Sequence, residues 1–407
     1  MINKENCNPF PINTSKVYGR IFKFEEHAGN FNISLDLLND VLVEADTSLS
    51  SNLEINRDFR PFYYGMSIEM LSEDGNIEFK RINDGDWYEL TIEPVRAKGN
   101  GSSWLALCLI TFSTSPVESE IYRITGIGKK PNKKMPKIEI PDKSVLRSSV
   151  FWELELLRLC YRVKLKLCNI KKLQILHIGQ GFQSRLFNNC DDFVCYDIGS
   201  SKCCDTDKTI NRRLLDYDNL RAVILSHWDE DHILGAFNSS SLRPLDVPWF
   251  APASIHSHNA KRLAFTIYLR NNLNLHLVDF PLLLSCSDSC DFIPLPKSTN
   301  LNNNGICMFI HKNDKRVLSI GDAEYSRIPF GLISDMDNKL DYLVVSHHGA
   351  EMKSKPPAAR NQFISKAIIP VGKNIYEHPK NKTLKTLKKL GYLIHRTDYD
   401  GEITITF

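Results

Sequence analysis

A chain of 407 residues exceeds one core of typical domain size, so two domains, or one large domain with extensions, are expected. With 42% hydrophobic and 24% charged residues it has the composition of a folded protein, which excludes disorder, collagen-like repetition and a coiled coil as the main state. Fifty-one basic against 48 acidic residues leave a formal charge of only +3, so any attraction to nucleic acid has to come from a local patch. The N-terminus has no apolar core behind its charges, and no stretch approaches the roughly 18 apolar residues of a membrane span, so the chain reads as soluble and unexported, with no membrane partner. Eleven cysteines, an odd number scattered from Cys7 to Cys307, fit reduced thiols in a cytoplasm. Neither Cys203-Cys204 nor the Cys286 and Cys290 pair is completed by a second CxxC into a four-ligand zinc site.

From Lys16 to about Gly128 the sequence offers β-branched and aromatic runs such as KVYGRIFKF, DWYELTIEPV, SWLALCLITF and EIYRITGI, separated by Asp-Gly, Asn-Gly and Pro signals. That spacing suits antiparallel strands and predicts a mostly β, sandwich-like domain over residues 1–128, of unknown role. The segment ISLDLLNDVLVEA, Ile33 to Ala45, has apolar residues near helical spacing and reads as a single helix. Lysines interrupted by prolines then mark a basic linker and connecting segment over 129–171.

After Lys172 apolar strands end in polar or charged loops: LQILHIGQG, DFVCYDIGSS, LRAVILSHWDEDH, KRVLSIGDAE, LDYLVVSHHGA and SKAIIPVGKN. Helix-compatible stretches intervene at Asn259–Asn272 and Lys382–Leu390. A buried sheet flanked by helices packs such alternation economically, so residues 172–407 read as an α/β domain. Eleven of the twelve histidines lie between His177 and His395, which places the chemistry in that half.

The sharpest signal is Ser226-His227-Trp228-Asp229-Glu230-Asp231-His232, directly after the apolar run Ala222 to Leu225. Alternation on an extended loop sends His227, Asp229 and Asp231 to one side, and a turn into a following helix brings His232 round to the same cavity. Carboxylates gathered around a bulky Trp228 repel one another unless cations compensate, most simply metals. Two further loops follow apolar strands, where an α/β sheet presents its active-site groups. Gly321-Asp322 offers a short carboxylate able to bridge two cations. Ser346-His347-His348-Gly349 offers a histidine pair, of which either ring can ligate. His378, before Pro379, is the candidate contact to a substrate or leaving group.

HIGQG at 177–181, YDIGSS at 196–201, SHWDEDHILGA at 226–236, NNNGICM at 302–308, IGDAE at 320–324, SHHGA at 346–350 and the ending from PVGKNIYEHP to GEITI stand in a familiar order. Together they resemble the metallo-β-lactamase-fold domain of the ComEC type, the soluble hydrolase domain of the bacterial DNA-uptake competence protein and its free-standing relatives. The resemblance covers residues 172 to 407. It implies an αββα sandwich in which His227, Asp229, Asp231, His232, Asp322 and a histidine of the His347-His348 pair surround one or two divalent ions, with Asp197 orienting the metal-binding loop. His348, next to the glycine, matches the ligand of the wider superfamily. The chain departs from the pattern at His177, where an Asp usually opens the turn. It also has no histidine just before GDAE, and His256 and His258 lie too far upstream to substitute. The first metal position is therefore carboxylate-rich, which admits manganese beside zinc.

Such a pair of ions hydrolyses a phosphoryl or carbonyl compound. The resemblance favours DNA or another phosphodiester, and the lysines of KNKTLKTLKKL at 380–390 are candidate phosphate contacts. In the resulting assignment His227 and Asp229 hold the first ion, Asp231, His232 and His348 the second, Asp322 bridges, and His347 or His378 protonates the leaving oxygen or touches the scissile phosphate. A free-standing hydrolase with a β module also suggests an effector or accessory subunit of a bacterial defence system, in which the module docks a protein partner or senses a ligand. The alternatives are a hydrolase of a small molecule such as a nucleotide messenger, ester or lactam, and an inactive metal-binding scaffold subunit.

Overall fold

The computed structural model describes residues 16–27, 30–38, 63–71, 86–94, 104–111, 118–130, 135, 137–140, 145–146, 170–200, 216–237, 239, 241–279, 284–287, 290–328, 339–372, 374 and 376–407. The chain forms two compact units, Met1–Ile140 with His256–Leu269, and Pro141–Ile255 with Arg270–Phe407. It thus passes between units after Ile140, Ile255 and Leu269, where the sequence reading has one connection over 129–171. Among the described residues the α-helices are α1 (Glu230–Phe237), α2 (His258–Arg270), α3 (Asn381–Lys389) and the single turn α4 (Thr397–Asp400). None is long and apolar enough to cross a membrane.

In the first unit β1 (Lys16–His27), β2 (Asn30–Leu38), β3 (Tyr63–Leu71), β4 (Trp87–Pro94), β5 (Trp104–Thr111) and β6 (Glu118–Lys130) close into a barrel in the order β1-β2-β3-β5-β6-β4. Every neighbouring pair is antiparallel. Closure, in place of the expected sandwich, leaves no unpaired edge. The expected helix from Ile33 is also replaced: Ile33 to Leu38 belong to β2, paired on both sides, and the remainder of that stretch lies outside the described residues. Ile33, Leu35 and Leu37 satisfy a period of two as well as a rough helical spacing, and long-range pairing decides between them.

Leu35, Asp36, Leu37 and Leu38 are all buried, so a carboxylate sits inside the first unit. It is satisfied at the start of α2. The Ser257 hydroxyl, the His258 and Asn259 backbone N–H groups and the Asn259 side-chain amide all donate to Asp36. An acidic group at a helix N-terminus meets both the orphan donors and the positive end of the dipole.

The strands of the second unit are β7 (Val145–Leu146), β8 (Lys172–Ile175), β9 (Gln183–Phe187), β10 (Phe193–Ile198), β11 (Leu220–Ile224), β12 (Trp249–Pro252), β13 (Leu275–Val278), β14 (Leu284–Ser287), β15 (Cys290–Pro294), β16 (Ile306–Lys312), β17 (Lys315–Ser319), β18 (Lys339–Leu340), β19 (Tyr342–Val344), β20 (Ala358–Ala359), β21 (Lys366–Ile369), β22 (Leu393–Arg396) and β23 (Ile403–Thr406). One sheet runs β23-β8-β9-β10-β11-β12-β13-β7 and the other β14-β15-β16-β17-β19-β21-β22, with β18 and β20 paired separately. Each sheet is antiparallel at one end and parallel at the other, the change falling at β10–β11 and at β17–β19.

The sheets share one core. Leu173, Val194, Tyr196, Ile224 and Phe250 from the first pack with Phe292, Met308, Val317, Val344 and Ile368 from the second, all of them buried. Fully burying such side chains contributes about 1.5–3 kcal/mol each before the entropy of ordering is set against it. A second apolar cluster, with Leu318, Leu343, Ala367 and Ile369, covers the other face of the β14–β22 sheet and includes Leu387 of α3. On the first sheet, α1 packs against β10. This mixed α/β build carries the loops after β10, β11, β17, β19 and β21 beyond the carboxyl ends of the central strands, where ligands collect in such sheets.

Candidate metal centre

The loop after β11 holds Ser226 to Asp229, and α1 begins at Glu230. The extended alternation expected through Asp231 therefore stops at Asp229. A first helical turn, in place of an extended strand, delivers Asp231 and His232, both buried. Trp228 fixes the loop from behind: its indole N–H donates to the Pro252 carbonyl at 2.7 Å, and its ring stacks with Trp249.

Asp197, at the end of β10 with φ of 59°, orients the cluster. Its Oδ1 accepts the Ser226 N–H at 2.6 Å, and its Oδ2 lies 2.7 Å from the Ser226 hydroxyl and 2.8 Å from His232 Nδ1. A carboxylate can only accept, so Nδ1 of His232 carries the hydrogen and Nε2 turns into the cavity. Ser226, which sequence reading passes over, also reaches His227 Nδ1 at 3.0 Å, and its carbonyl accepts the Ile306 N–H. Gly321 makes room for it: at φ of 58° a Cβ there would stand 2.6 Å from the Ser226 hydroxyl oxygen.

The loop after β19 is tied to the Gly321-Asp322 turn. Ser346 donates to the Tyr325 hydroxyl and to the Ala323 carbonyl, and the His347 N–H donates to the Gly321 carbonyl. His347, His348 and Gly349 have φ of 51°, 52° and 85°. Left-handed backbone costs a non-glycine residue roughly 1–2 kcal/mol, and these surrounding bonds hold it in place. His348 Nδ1 donates to the Pro370 carbonyl at 2.8 Å, which frees its Nε2 for the cavity.

Two donor trios result, His227 with His232 and Asp322, and Asp231 with His232 and His348, all buried. In each trio the donor atoms lie within 4.8 Å of one another. Nε2 of His227, His232 and His348 is buried without a hydrogen-bond partner in each case. Carboxylate oxygens stand close by: Asp322 is 3.7 Å from His227 and 3.3 Å from His232, and Asp231 is 3.2 Å from His348. A lone pair aimed at a carboxylate is repulsive unless a proton or cation lies between them, so the residues present fit a divalent ion.

Electrostatics agree. Burial disfavours a charge on His232, yet Asp322 and Asp197 outweigh it and hold the imidazole pKa well above its ordinary value. For Asp322 burial acts upward, and His347, His232 and His227 draw its carboxyl well below the usual range. Asp229 stands at the rim, with Oδ2 3.6 Å from His227 Nε2 and outside both trios. His347 is a quarter exposed, its Nε2 3.6 Å from Asp322 Oδ2. His378 lies across from His347 at a ring separation of 5.9 Å. Burial, helped by His347, His348 and Lys380, pushes its pKa down to about 3, so at neutral pH it offers a hydrogen bond and not the labile proton of an imidazolium.

Of the NNN run, Asn303 is a structural partner whose side-chain oxygen accepts the Glu324 N–H. His256 and His258 belong to the first unit and to neither trio. Cys195 and Cys307 are buried thiols pushed up to about 12 by desolvation and belong to neither trio, whereas Cys203 and Cys204 lie outside the described residues.

No family model and no curated protein matches the chain. Among solved structures it is similar to Zn²⁺-bound PqqB from Methylobacterium extorquens, which aligns over 58% of this chain and 100% of its own length at 10% identity and a TM-score of 0.34.

Beside the histidine loop, immediately past Ala350, a cleft of about 440 Å³ opens between Glu351, Lys353, Lys355 and the first turns of α3, where Lys382 and Thr383 line it. Lys382 pairs with Glu351, and the Lys380 N–H and Thr383 hydroxyl bind the Gly349 and Ala350 carbonyls, so α3 is fastened directly to the loop that carries His347 and His348.

Proposed function

We propose that this chain is a metal-dependent hydrolase of the metallo-β-lactamase fold that cleaves phosphodiester bonds in DNA, as the ComEC-type motifs imply. The observation that carries the reading is the convergence of three buried, unpartnered imidazole nitrogens on the carboxylates of Asp231 and Asp322. His227, Asp229, Asp231, His232, Asp322 and His348 would hold one or two ions, zinc or manganese. A divalent ion in such a cradle acidifies water and acts as a Lewis acid toward a phosphoryl oxygen.

The chain's own residues do the rest. Asp197 and the Pro370 carbonyl fix the His232 and His348 tautomers, so that both rings present a lone pair without reorganisation. His378, uncharged, donates or accepts one hydrogen bond at the substrate. Lys353 and Lys355 supply a local positive field, which a chain of net charge +3 lacks as a whole, while Lys382 is paired with Glu351. The barrel is assigned to docking a protein partner in an antiviral defence setting.

A second reading is hydrolysis of a nucleotide-sized phosphodiester: the cleft next to the histidine loop has a volume within the roughly 300–1,000 Å³ of small-ligand sites and carries Lys353 and Lys355 for phosphates, although its lining includes no residue of either donor trio. Both are tested by stripping the purified protein of metal, reloading it with Mn²⁺, Zn²⁺ or Mg²⁺, and assaying single- and double-stranded DNA beside cyclic and linear dinucleotides, with Asp231→Ala as control. Restored DNA cleavage that falls at least about 100-fold in the variant supports the nuclease. Turnover of dinucleotides alone supports the second reading, and no turnover by a folded, metal-loaded protein defeats both.

A further inference from the structure

We propose that the adjacent histidines His347 and His348 serve two different cations, and that His347 supplies the nitrogen ligand that the sequence lacks before Gly321-Asp322. The inference rests on the metal-dependent reading above and deepens it.

His232 belongs to both donor trios through the same Nε2, because its other nitrogen is engaged by Asp197. An imidazole nitrogen has one lone pair and binds one cation, so the trios cannot both be completed by His232. Asp322 shows how the donors divide. Its Oδ1 faces His232 at 3.3 Å, whereas its Oδ2 faces His227 at 3.7 Å and His347 at 3.6 Å. The Oδ1 side continues to Asp231 and His348, whose own separation is 3.2 Å. The Oδ2 side continues through His227 to Asp229 at 3.6 Å. One position would therefore draw on His227 and His347 around Asp322 Oδ2, with Asp229 beside His227; these donor atoms do not all lie within 4.8 Å of one another as those of the trios do, so an ion there would draw His347 inward. The other is built from Asp231, His232, His348 and Asp322 Oδ1.

The backbone explains how neighbours in sequence reach separate positions. Residues in an extended strand would throw their side chains to opposite faces of the loop. With φ and ψ of 51° and 46° at His347 and 52° and 22° at His348, the chain curls left-handed, and both rings turn toward the same cluster of carboxylates. The positions also differ in access. His347 is 25% exposed, whereas His348, His232 and Asp231 are buried, so the His347 position exchanges its ion more readily.

The test is stepwise Zn²⁺ binding to the full chain, followed by native mass spectrometry and competition with a chromophoric chelator. Wild-type protein is expected to take two equivalents. His347→Ala and His347→Asn, the latter suited to a left-handed backbone, are expected to weaken the looser step at least 10-fold and leave the tighter one in place. His348→Ala is expected to weaken the tighter step, and circular dichroism checks that each variant is folded. Two unchanged steps in both His347 variants overturn the inference even where turnover falls, since that pattern marks a contact to substrate. A wild-type protein that holds one ion, unaffected by His347, overturns it while leaving the hydrolase reading intact. A wild-type protein that holds none removes both.

Discussion

Asp197 makes three hydrogen bonds with two oxygens, to the Ser226 N–H, the Ser226 hydroxyl and His232 Nδ1. Asp197→Asn replaces one acceptor with a donor and sets an N–H against one of those groups. Zinc affinity is expected to fall about 10–100-fold with the fold unchanged, as read by chelator competition and circular dichroism. Wild-type affinity in the variant would mean that His232 is oriented by other contacts. At this scale much of the cluster was legible, because His227, Asp229, Asp231 and His232 crowd into one short loop and few other arrangements tolerate that. Ser226 was not, since a serine before a histidine is ordinary in sequence. Its importance comes from Asp197 and Ile306, which the two sheets bring to it from far along the chain. The division of Asp322 between its two oxygens was likewise invisible, because it depends on where His347 and His232 stop in space.

Elements were legible where a single period dominated. The helices near Asn259 and Lys382 appear as α2 and α3, and the six apolar runs quoted after Lys172 appear as β8, β10, β11, β17, β19 and β21. Ile33 to Leu38 was misread because its apolar positions fit both periods, and only pairing with β1 and β3 distinguishes them. The polar side of α2 also has a cost. Burial and the neighbouring Arg20 lower the Lys261 pKa against the opposing pull of Asp36 and Glu139. A lysine depressed on folding binds its proton less tightly in the folded state. The penalty is complete below the folded pKa and is relieved as pH rises from there toward the unfolded value of 10.5. Lys261→Met is expected to raise the melting temperature at pH 7 and to flatten the alkaline rise of stability. A lower melting temperature for the variant, with the rise intact, would mean that Asp36 and Glu139 prevail.

For the whole molecule, the first unit is assembled from two separated stretches of chain, so the second unit cannot be excised at one linker. A fragment of residues 172–407 keeps both donor trios but carries α2 without the first unit's N-terminal stretch, leaving Phe265, which packs on Ile138 in the full chain, and the His258 face that meets Trp87 uncovered. The expectation is a fragment that binds zinc, binds an apolar dye and self-associates, as judged by size-exclusion chromatography. A monodisperse fragment with no dye signal would show that α2 needs no cover. The same arrangement has a consequence during synthesis. Asp36 waits for Ser257, 221 residues further on, before its carboxylate is satisfied. The barrel strands therefore leave the ribosome well before α2, and their unit is finished only after Leu269 has emerged. For that interval it is the segment that chaperones and proteases meet half-built.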